Sequence, residues 1–526
     1  MLANYTLPDL LLFAFYGLLL LVSGWYFNRR AQNTSDYFLG GQAMPVWMVA
    51  MSVLATSQSA ATFLGGPDQG YRGNLTYLAT NLGAFIAAFF VARVLIPRFY
   101  QLKVFTVYEL LETRFGAGAK QQAGLMYLFG RIFASGARLY MAALAVAMIL
   151  YGNIAASSVI TATLLISVIG LIYSIYGGIR TVIYSDVMQA FTYIGAAVAV
   201  IVALLIAIPA DVPAILDVLQ NPGAGEPSKL TLFDSRIDFS PSGVFTLTSV
   251  FTGFVLLNIA AFGLDQDMTQ RVLTCRNAQE GAKAMLWSVV MVIPVMLLFI
   301  LIGLLLYIYY QQPDLMASNA GAPVPQFAGE PVTIFMYYVL TDLPAGLKGL
   351  VTIGILAAAL STLNSGLNSM SSVLIQDLYR PWQRKRGQQR SEHHFVNAGR
   401  VAMAVVALAL ASMACLCYYW QQYSDTPLLQ FALGVMVFSY SGLLGVYFIT
   451  LFTQRGSPAS VTAALLCGFI IPLLLQPYVM SWYLPEAWQL SLGFTWQLVI
   501  GTLVATLVCA AGRQPEYMPD MKAEAK

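Results

Sequence analysis

Residues Ala55-Thr56-Ser57-Gln58-Ser59-Ala60-Ala61-Thr62-Phe63-Leu64-Gly65-Gly66-Pro67 are poor material for a membrane helix, yet they sit in a largely apolar stretch running from about 45 to 70. Hydroxyl and amide side chains crowd the first half, and Gly-Gly-Pro follows. In hydrocarbon an unpaired polar group costs several kcal/mol, so the cluster needs a reason. We read it as a helix that unwinds near the middle of the bilayer and frees backbone carbonyls to bind a cation. The alternative is a polar helix face packed on its neighbours.

The rest of the chain supports a bilayer. Of 526 residues, 58% are hydrophobic and 10% charged, against about 25% charged in a soluble domain. Lysine and arginine total 27 against 24 acidic residues. So small an excess gives no footprint for nucleic acid, and no nucleic-acid partner is expected. The five cysteines show no pattern of paired external residues, and no disulfide is expected. Both histidines, His393 and His394, lie in one basic loop, which argues against a zinc or haem centre.

Thirteen stretches are long enough to cross, given that a crossing needs about 20 apolar residues. They fall near 8–27, 45–70, 75–97, 121–151, 158–177, 183–209, 243–265, 280–310, 345–377, 397–421, 428–453, 458–480 and 490–512. No basic segment precedes the first, and Arg29-Arg30 follow it, so it is read as a retained span with the amino terminus outside. With that orientation 20 of the 27 basic residues, among them Arg180, Arg271 and Arg380, fall in loops on the cytoplasmic side. The external loops hold Arg72, Lys229, Arg236 and Lys348, while Arg93, Arg131 and Arg138 lie within spans. An error of one span would scramble this division, so the carboxyl terminus is expected inside. The long external loops, about 211–242 and 311–344, are rich in Pro, Gly and Asp and are expected to hold short helices.

Three further interruptions stand out. The seventh span carries Asn258 and then Gly263-Leu264-Asp265-Gln266-Asp267. It is the fifth span after the first broken one, and broken helices at corresponding positions of two halves point to a transporter's binding site. The ninth span places Ser361, Ser365 and Asn368 on one stripe, flanked by Thr362 and Ser369. Hydroxyls beside freed carbonyls make an oxygen cage suited to a hard cation; the alternative is close packing of small residues. Asp186, Arg131 and Arg138 are charges inside spans and so candidates for function. For Arg131 a structural pairing is weighed equally.

These motifs resemble the sodium:solute symporter family over residues 8 to 512. The resemblance rests on Tyr176-Gly177-Gly178-Ile179-Arg180-Thr181-Val182-Ile183-Tyr184-Ser185-Asp186-Val187-Met188-Gln189, on Asp265-Gln266-Asp267-Met268-Thr269-Gln270-Arg271, and on Leu367-Asn368-Ser369-Met370-Ser371-Ser372 through Asp377-Leu378-Tyr379. It implies an all-α integral membrane fold of thirteen transmembrane helices. Two five-helix inverted repeats of the LeuT type, at 45–209 and 243–453, would have broken first and sixth core helices. One extra helix and a cytoplasmic loop would occupy 1–44, an external loop 210–242, two further helices 454–512 and a cytoplasmic tail 513–526.

The resemblance also implies the chemistry. The common sodium site maps to the carbonyls of Ala55, Gln58 and Ala358 and the hydroxyls of Ser361 and Thr362. Members with a second sodium bind it through an aspartate equivalent to Asp186 and hydroxyls equivalent to Thr362 and Ser365; here Asn364 stands beside Ser365 where those members have paired serines. Solute contacts map to Ser59, Thr62, Arg138, Asn258 and Phe262. An arginine near position 138 is similar to one in bacterial sialic-acid symporters, where it clamps a carboxylate; Gln58-Ser59-Ala60 and Tyr71-Arg72 are similar to carriers of monocarboxylates and vitamins.

The expectation is a sodium-coupled symporter in a bacterial inner membrane, a monomer in the lipid bilayer, carrying a small organic anion. The alternatives are a neutral sugar or amino acid, and coupling to protons. A membrane-embedded enzyme would need a catalytic cluster within the spans, and none is read there. A sensor of this fold would be expected to carry an appended signalling domain.

Overall fold

The computed structural model describes residues 6–27, 33–223, 225–316, 326–327, 330–344, 346–421 and 428–513. Arg29 and Arg30, used above for orientation, lie outside the described residues, as does most of the expected tail, with Lys522 and Lys526 of the basic residues counted as cytoplasmic. The chain is nearly all helical. Among the described residues the strands are one antiparallel pair, Gln326–Phe327 with Glu330–Pro331.

In chain order the helices are α1 (Leu7–Phe27), α2 (Thr34–Leu39), α3 (Val46–Ser57), α4 (Ala60–Arg72), α5 (Thr76–Leu102), α6 (Glu109–Phe115), α7 (Ala117–Tyr151), α8 (Ala156–Ile175), α9 (Gly178–Ala207), α10 (Val212–Gln220), α11 (Leu247–Leu264), α12 (Gln266–Val272), α13 (Ala278–Gln311), α14 (Ile334–Thr341), α15 (Leu347–Lys385), α16 (Glu392–Gln421), α17 (Leu428–Gly434), α18 (Val437–Phe452), α19 (Pro458–Leu474) and α20 (Phe494–Ala511). A single turn, Pro313–Met316, stands between α13 and α14. Among the described residues nine helices are long and apolar enough to cross a membrane: α5, α7, α8, α9, α11, α13, α15, α16 and α20. Shorter apolar segments are Leu7–Leu20, α18 and α19. The short helices expected in the long loops are present as α10 and α14.

Two of the expected interruptions are true breaks. Between α3 and α4, Gln58 (φ −93, ψ 101) and Ser59 (φ −103, ψ 178) leave helical geometry. The Ser59 side chain accepts the Ala61 N–H at 3.2 Å and so caps α4. The last four carbonyls of a helix have no partner within it, which frees those of Ala55 to Gln58. Between α11 and α12 the break is Asp265 (φ −88, ψ 116). Its N–H reaches back five residues to Ala260 at 2.9 Å, and its Oδ1 accepts the Asp267 N–H at 3.0 Å.

Boundaries moved where backbone chemistry decides them. The turn expected between 177 and 183 closes at Gly178 (φ 60, ψ −168), and α9 begins there. A Cβ at that glycine would also lie 2.6 Å from the Tyr37 carbonyl oxygen. Arg180 therefore stands in the first turn of α9 and donates to the Gly40 carbonyl at 2.8 Å. Helix α19 ends at Leu474 rather than near 480 because Pro477 pushes Gln476 into an extended conformation (φ −72, ψ 134).

Packing follows the small-residue logic of membrane helices. Helix α15 lies along α8 and α9, α13 along α4, and α18, α19 and α20 pack on one another. Gly70 and Gly303 let α4 and α13 meet backbone to backbone, since a Cβ on either would run into a carbonyl of the other helix.

Candidate solute cavity and cation site

A cavity with about 870 Å³ of empty space lies beside the two helix breaks. Its wall comes from the end of α3 (Val53, Ser57, Gln58), the start of α5 (Tyr77, Thr80, Asn81, Ala84), α11, α13, and α17 to α18 (Leu433, Met436, Tyr440). This mixture of aromatic and apolar wall with a few convergent polar groups is the usual make-up of a small-molecule site. Of the expected solute contacts, Arg138, Asn258 and Phe262 line it. Ser59 and Thr62 do not: Ser59 is occupied as the cap of α4, and both are buried away from the cavity wall. Gln58, expected to offer only its carbonyl to sodium, also lines the cavity.

Sequence reasoning missed Tyr77, Thr80, Asn81, Ser288 and Tyr440. The signal existed: Thr80-Asn81 is a polar pair inside an apolar span, as Ser57-Gln58 is. Tyr440 carried none, because a tyrosine in a membrane helix is ordinary packing material.

Arg138 is buried at 8% exposure and makes no ion pair among the described residues. One guanidinium nitrogen, Nη2, lies 3.3 Å from the Met436 sulphur. The other, Nη1, is buried with no hydrogen-bond partner. The side-chain oxygen of Gln58, also on the cavity wall, is likewise buried and unpartnered. Buried donors and acceptors are nearly always paired, so such groups at a cavity mark a place for a polar ligand or water.

Of the expected cation ligands, Ala358, Ser361 and Thr362 lie on α15, Asp186 on α9, and Ala55 and Gln58 at the end of α3. Helices α3 and α4 both touch α15. The Thr56 and Ser365 hydroxyl oxygens are 3.3 Å apart, and a Cβ on Gly354 would lie 3.1 Å from the Phe63 ring. The Thr362 hydroxyl donates to the Ala358 carbonyl at 3.1 Å, and the Ser361 hydroxyl to Asp186 Oδ1 at 2.7 Å. Asn364 faces elsewhere, its Oδ1 accepting from Ser174 Oγ at 2.9 Å. The stripe of α15 is in fact a seam: Ser365 meets Thr56, Asn368 accepts from Gln270 at 3.0 Å, and Ser369 from Tyr127 at 2.9 Å.

Two expectations change here. Arg271, assigned above to a cytoplasmic loop, is among the largest fully buried side chains, at 0% exposure. Asp186, expected to face sodium, shares its Oδ2 with Arg271 Nη2 at 3.1 Å and with Ser52 Oγ at 2.5 Å. The reason is α12: after the Asp265 break this helix turns its Arg271 inward, where a lone guanidinium in low dielectric requires carboxylate partners. Arg271 Nη1 also bonds Asp267 Oδ1 at 3.0 Å. Arg131, whose role was open, pairs with Asp265 Oδ2 at 2.9 Å and with Asp267 Oδ2. Tyr440 adds its hydroxyl to the same Asp265 oxygen at 2.6 Å.

Residues 105–108 are clamped against the α11–α12 break. The Gln266 amide donates to the Phe105 carbonyl at 2.8 Å and accepts the Val107 N–H at 3.0 Å. Tyr447 donates to the Val107 carbonyl at 2.8 Å, and Tyr108 to that of Leu264 at 2.9 Å. Thr106 donates to Asp377 at 2.8 Å.

Comparison with known proteins gives a consistent picture. The sequence profile of the sodium:solute symporter family matches residues 37–468. A sodium/sialic acid symporter of Proteus mirabilis (strain HI4320) is 27% identical over 466 residues, 88% of each chain. One of Aliivibrio fischeri (strain ATCC 700601 / ES114) is 28% identical over 513 residues, 96% of this chain and 92% of the relative. A solved structure of a sodium-coupled sialic acid symporter, substrate-bound and outward-open, superposes with a TM-score of 0.79 at 24% identity. It covers 97% of this chain and all of that one, and at this identity it shows the shared fold.

Proposed function

This chain belongs to the sodium:solute symporter family, and we propose that its solute is a small organic anion, carried inward with sodium by alternating access. It is a membrane transporter with sodium as coupling ion, not an enzyme. The observation that carries the anion is Arg138, a buried guanidinium on the cavity wall without a carboxylate partner and with an unpaired Nη1. A carboxylate would accept a bidentate, charge-assisted pair from it. Relatives named as sialic acid symporters favour the same class.

The proposed sodium site is formed by the carbonyls of Ala55, Gln58 and Ala358 with the hydroxyls of Ser361 and Thr362. Asp186 with Ser365 forms a second site only if Arg271 gives way; Asn364, bonded to Ser174, is the weakest member of that set. Thirteen crossings, an outside amino terminus, a cytoplasmic carboxyl terminus, the two five-helix repeats at 45–209 and 243–453, an inner-membrane location and a monomer complete the proposal. A monoanion carried with one sodium moves no net charge. The drive is then the sodium gradient alone, about 1.4 kcal/mol per tenfold ratio. A second sodium would add its own chemical term and about 2.3 kcal/mol per 100 mV.

The test is uptake into proteoliposomes across sialic acids, monocarboxylates, sugars and amino acids. Sodium-driven uptake of a carboxylate is expected. Transport of neutral sugars or amino acids alone would overturn the anion. Uptake indifferent to sodium but driven by a proton gradient would overturn the coupling ion.

A further inference from the structure

Five charged side chains form one unbroken buried line. Ser361, a proposed cation ligand, donates to Asp186 at 2.7 Å. Asp186 pairs with Arg271 at 3.1 Å, and Arg271 with Asp267 at 3.0 Å. Asp267 pairs with Arg131, and Arg131 with Asp265 at 2.9 Å. Arg131 and Asp265 line the solute cavity. Every one of the five is at most 3% exposed. The line thus begins at the cation site and ends in the cavity floor, and the two arginines meet on a single carboxylate, Asp267.

We propose that Asp267 is a positioning residue for coupling, holding Arg131 and Arg271 at once and so transmitting occupation of the cation site to the floor of the solute cavity. The proposal rests on the sodium-symport reading above. Its physical basis is charge balance in a medium of low dielectric. With all ionised, Asp186, Asp265 and Asp267 carry three negative charges, and Arg131, Arg271 and Arg138 three positive ones. An anion bound at Arg138 leaves the buried set one negative charge in excess; a sodium at the Ser361–Asp186 end restores neutrality. Each ligand therefore favours the other.

The geometry also allows movement. Arg271 is held at Asp267 twice, by Oδ1 and by the main-chain oxygen at 2.5 Å. A cation that satisfies Asp186 loosens only the other end of Arg271, which then turns toward Asp267 and competes with Arg131 for it. Arg131 has a reserve for the exchange, since its Nε is buried without a hydrogen-bond partner. Its shift would reach Tyr440 through Asp265, their shared neighbour.

Hydrogen–deuterium exchange of the full-length chain in lipid nanodiscs, with sodium as the only ligand, tests this without knowledge of the solute. In the parent, sodium should slow exchange both in 355–366, at the cation site, and in 430–440, on the cavity wall. In Asp267→Asn the first response should persist at a raised sodium midpoint, because Arg271, short of one carboxylate, holds Asp186 more tightly. The second should vanish or need at least about fivefold more sodium than the first, the lower end of ordinary coupling. Asp267→Asn leaves two buried arginines short of charge, so Arg131→Lys is the second variant. It keeps the charge but cannot span both aspartates, and the same split is expected. The proposal is overturned if either folded variant keeps both responses, or if both responses fall together, which marks a merely structural role. A parent in which sodium slows neither segment would instead remove the sodium reading on which the relay stands.

Discussion

Replacing Arg138 with lysine separates a carboxylate clamp from a buried structural charge. The arginine sits at the cavity wall with Nη1 unpartnered and Nη2 against a thioether, a weak acceptor. In the empty cavity the side chain therefore has little hydrogen bonding to lose. A carboxylate would gain two parallel bonds, each worth about 1.5–3 kcal/mol for a charged partner. Lysine keeps the charge but not the planar fork, so roughly one of the two bonds is lost. At about 1.4 kcal/mol per factor of ten, solute affinity should fall about ten- to a hundredfold. Arg138→Ala should fall further. Sodium binding in the absence of solute should stay within about twofold in Arg138→Lys, as expected for a site it does not touch. The assay is equilibrium binding of N-acetylneuraminate, or of the carboxylate the uptake screen returns, with sodium titrated separately by thermal shift. Parent-like solute affinity in both variants would refute the clamp. So would an equal loss of sodium and solute binding in Arg138→Lys, because that pattern reports a damaged fold.

Three further outcomes are expected. Thr362→Ala removes one proposed sodium oxygen and should raise the sodium concentration for half-maximal uptake about tenfold or more; a mild effect with retained uptake would favour proton coupling. Gln266→Ala leaves the Phe105 carbonyl and the Val107 N–H unpaired, at about 1–3 kcal/mol each. Amide exchange in 104–108 should accelerate by about tenfold or more, and an unchanged rate would show that Tyr447 and Tyr108 hold the segment alone. Gly303→Val drives a side chain into the Pro67 carbonyl on α4 and should abolish a monodisperse, folded product. Gly17→Ala meets nothing within 4 Å and should behave like the parent in the same size-exclusion assay.

Much of the site was legible because membrane sequence is constrained. Water cannot rescue a polar group in hydrocarbon, so Gln58, Asp265 and the Ser361–Ser369 run announced themselves against an apolar background. Arg138, Asn258 and Phe262 were placed by resemblance, and the folded chain brings them to one cavity. The sequence was least informative where roles compete for one side chain. Ser59 could contact solute or cap a helix; its backbone at φ −103 and ψ 178 makes it the cap. Arg271 was assigned to a loop because charge near a span end ordinarily reaches water. The turn of α12 after Asp265 denies it that exit, and Asp186 and Asp267 receive it instead.

Local composition was enough to read the class of molecule, its helical character and the two places where helices must break. Each of these follows from local composition read against the bilayer's one demand, that backbone polar groups be satisfied within the segment. Partners were decided only by the tertiary structure. Arg131 and Asp267 stand far apart in the chain, as do Asp186 and Arg271, and no periodicity predicts which carboxylate a buried guanidinium will meet. That choice depends on how α7, α9, α12 and α15 converge, and a buried charge accepts whichever partner that convergence brings within reach.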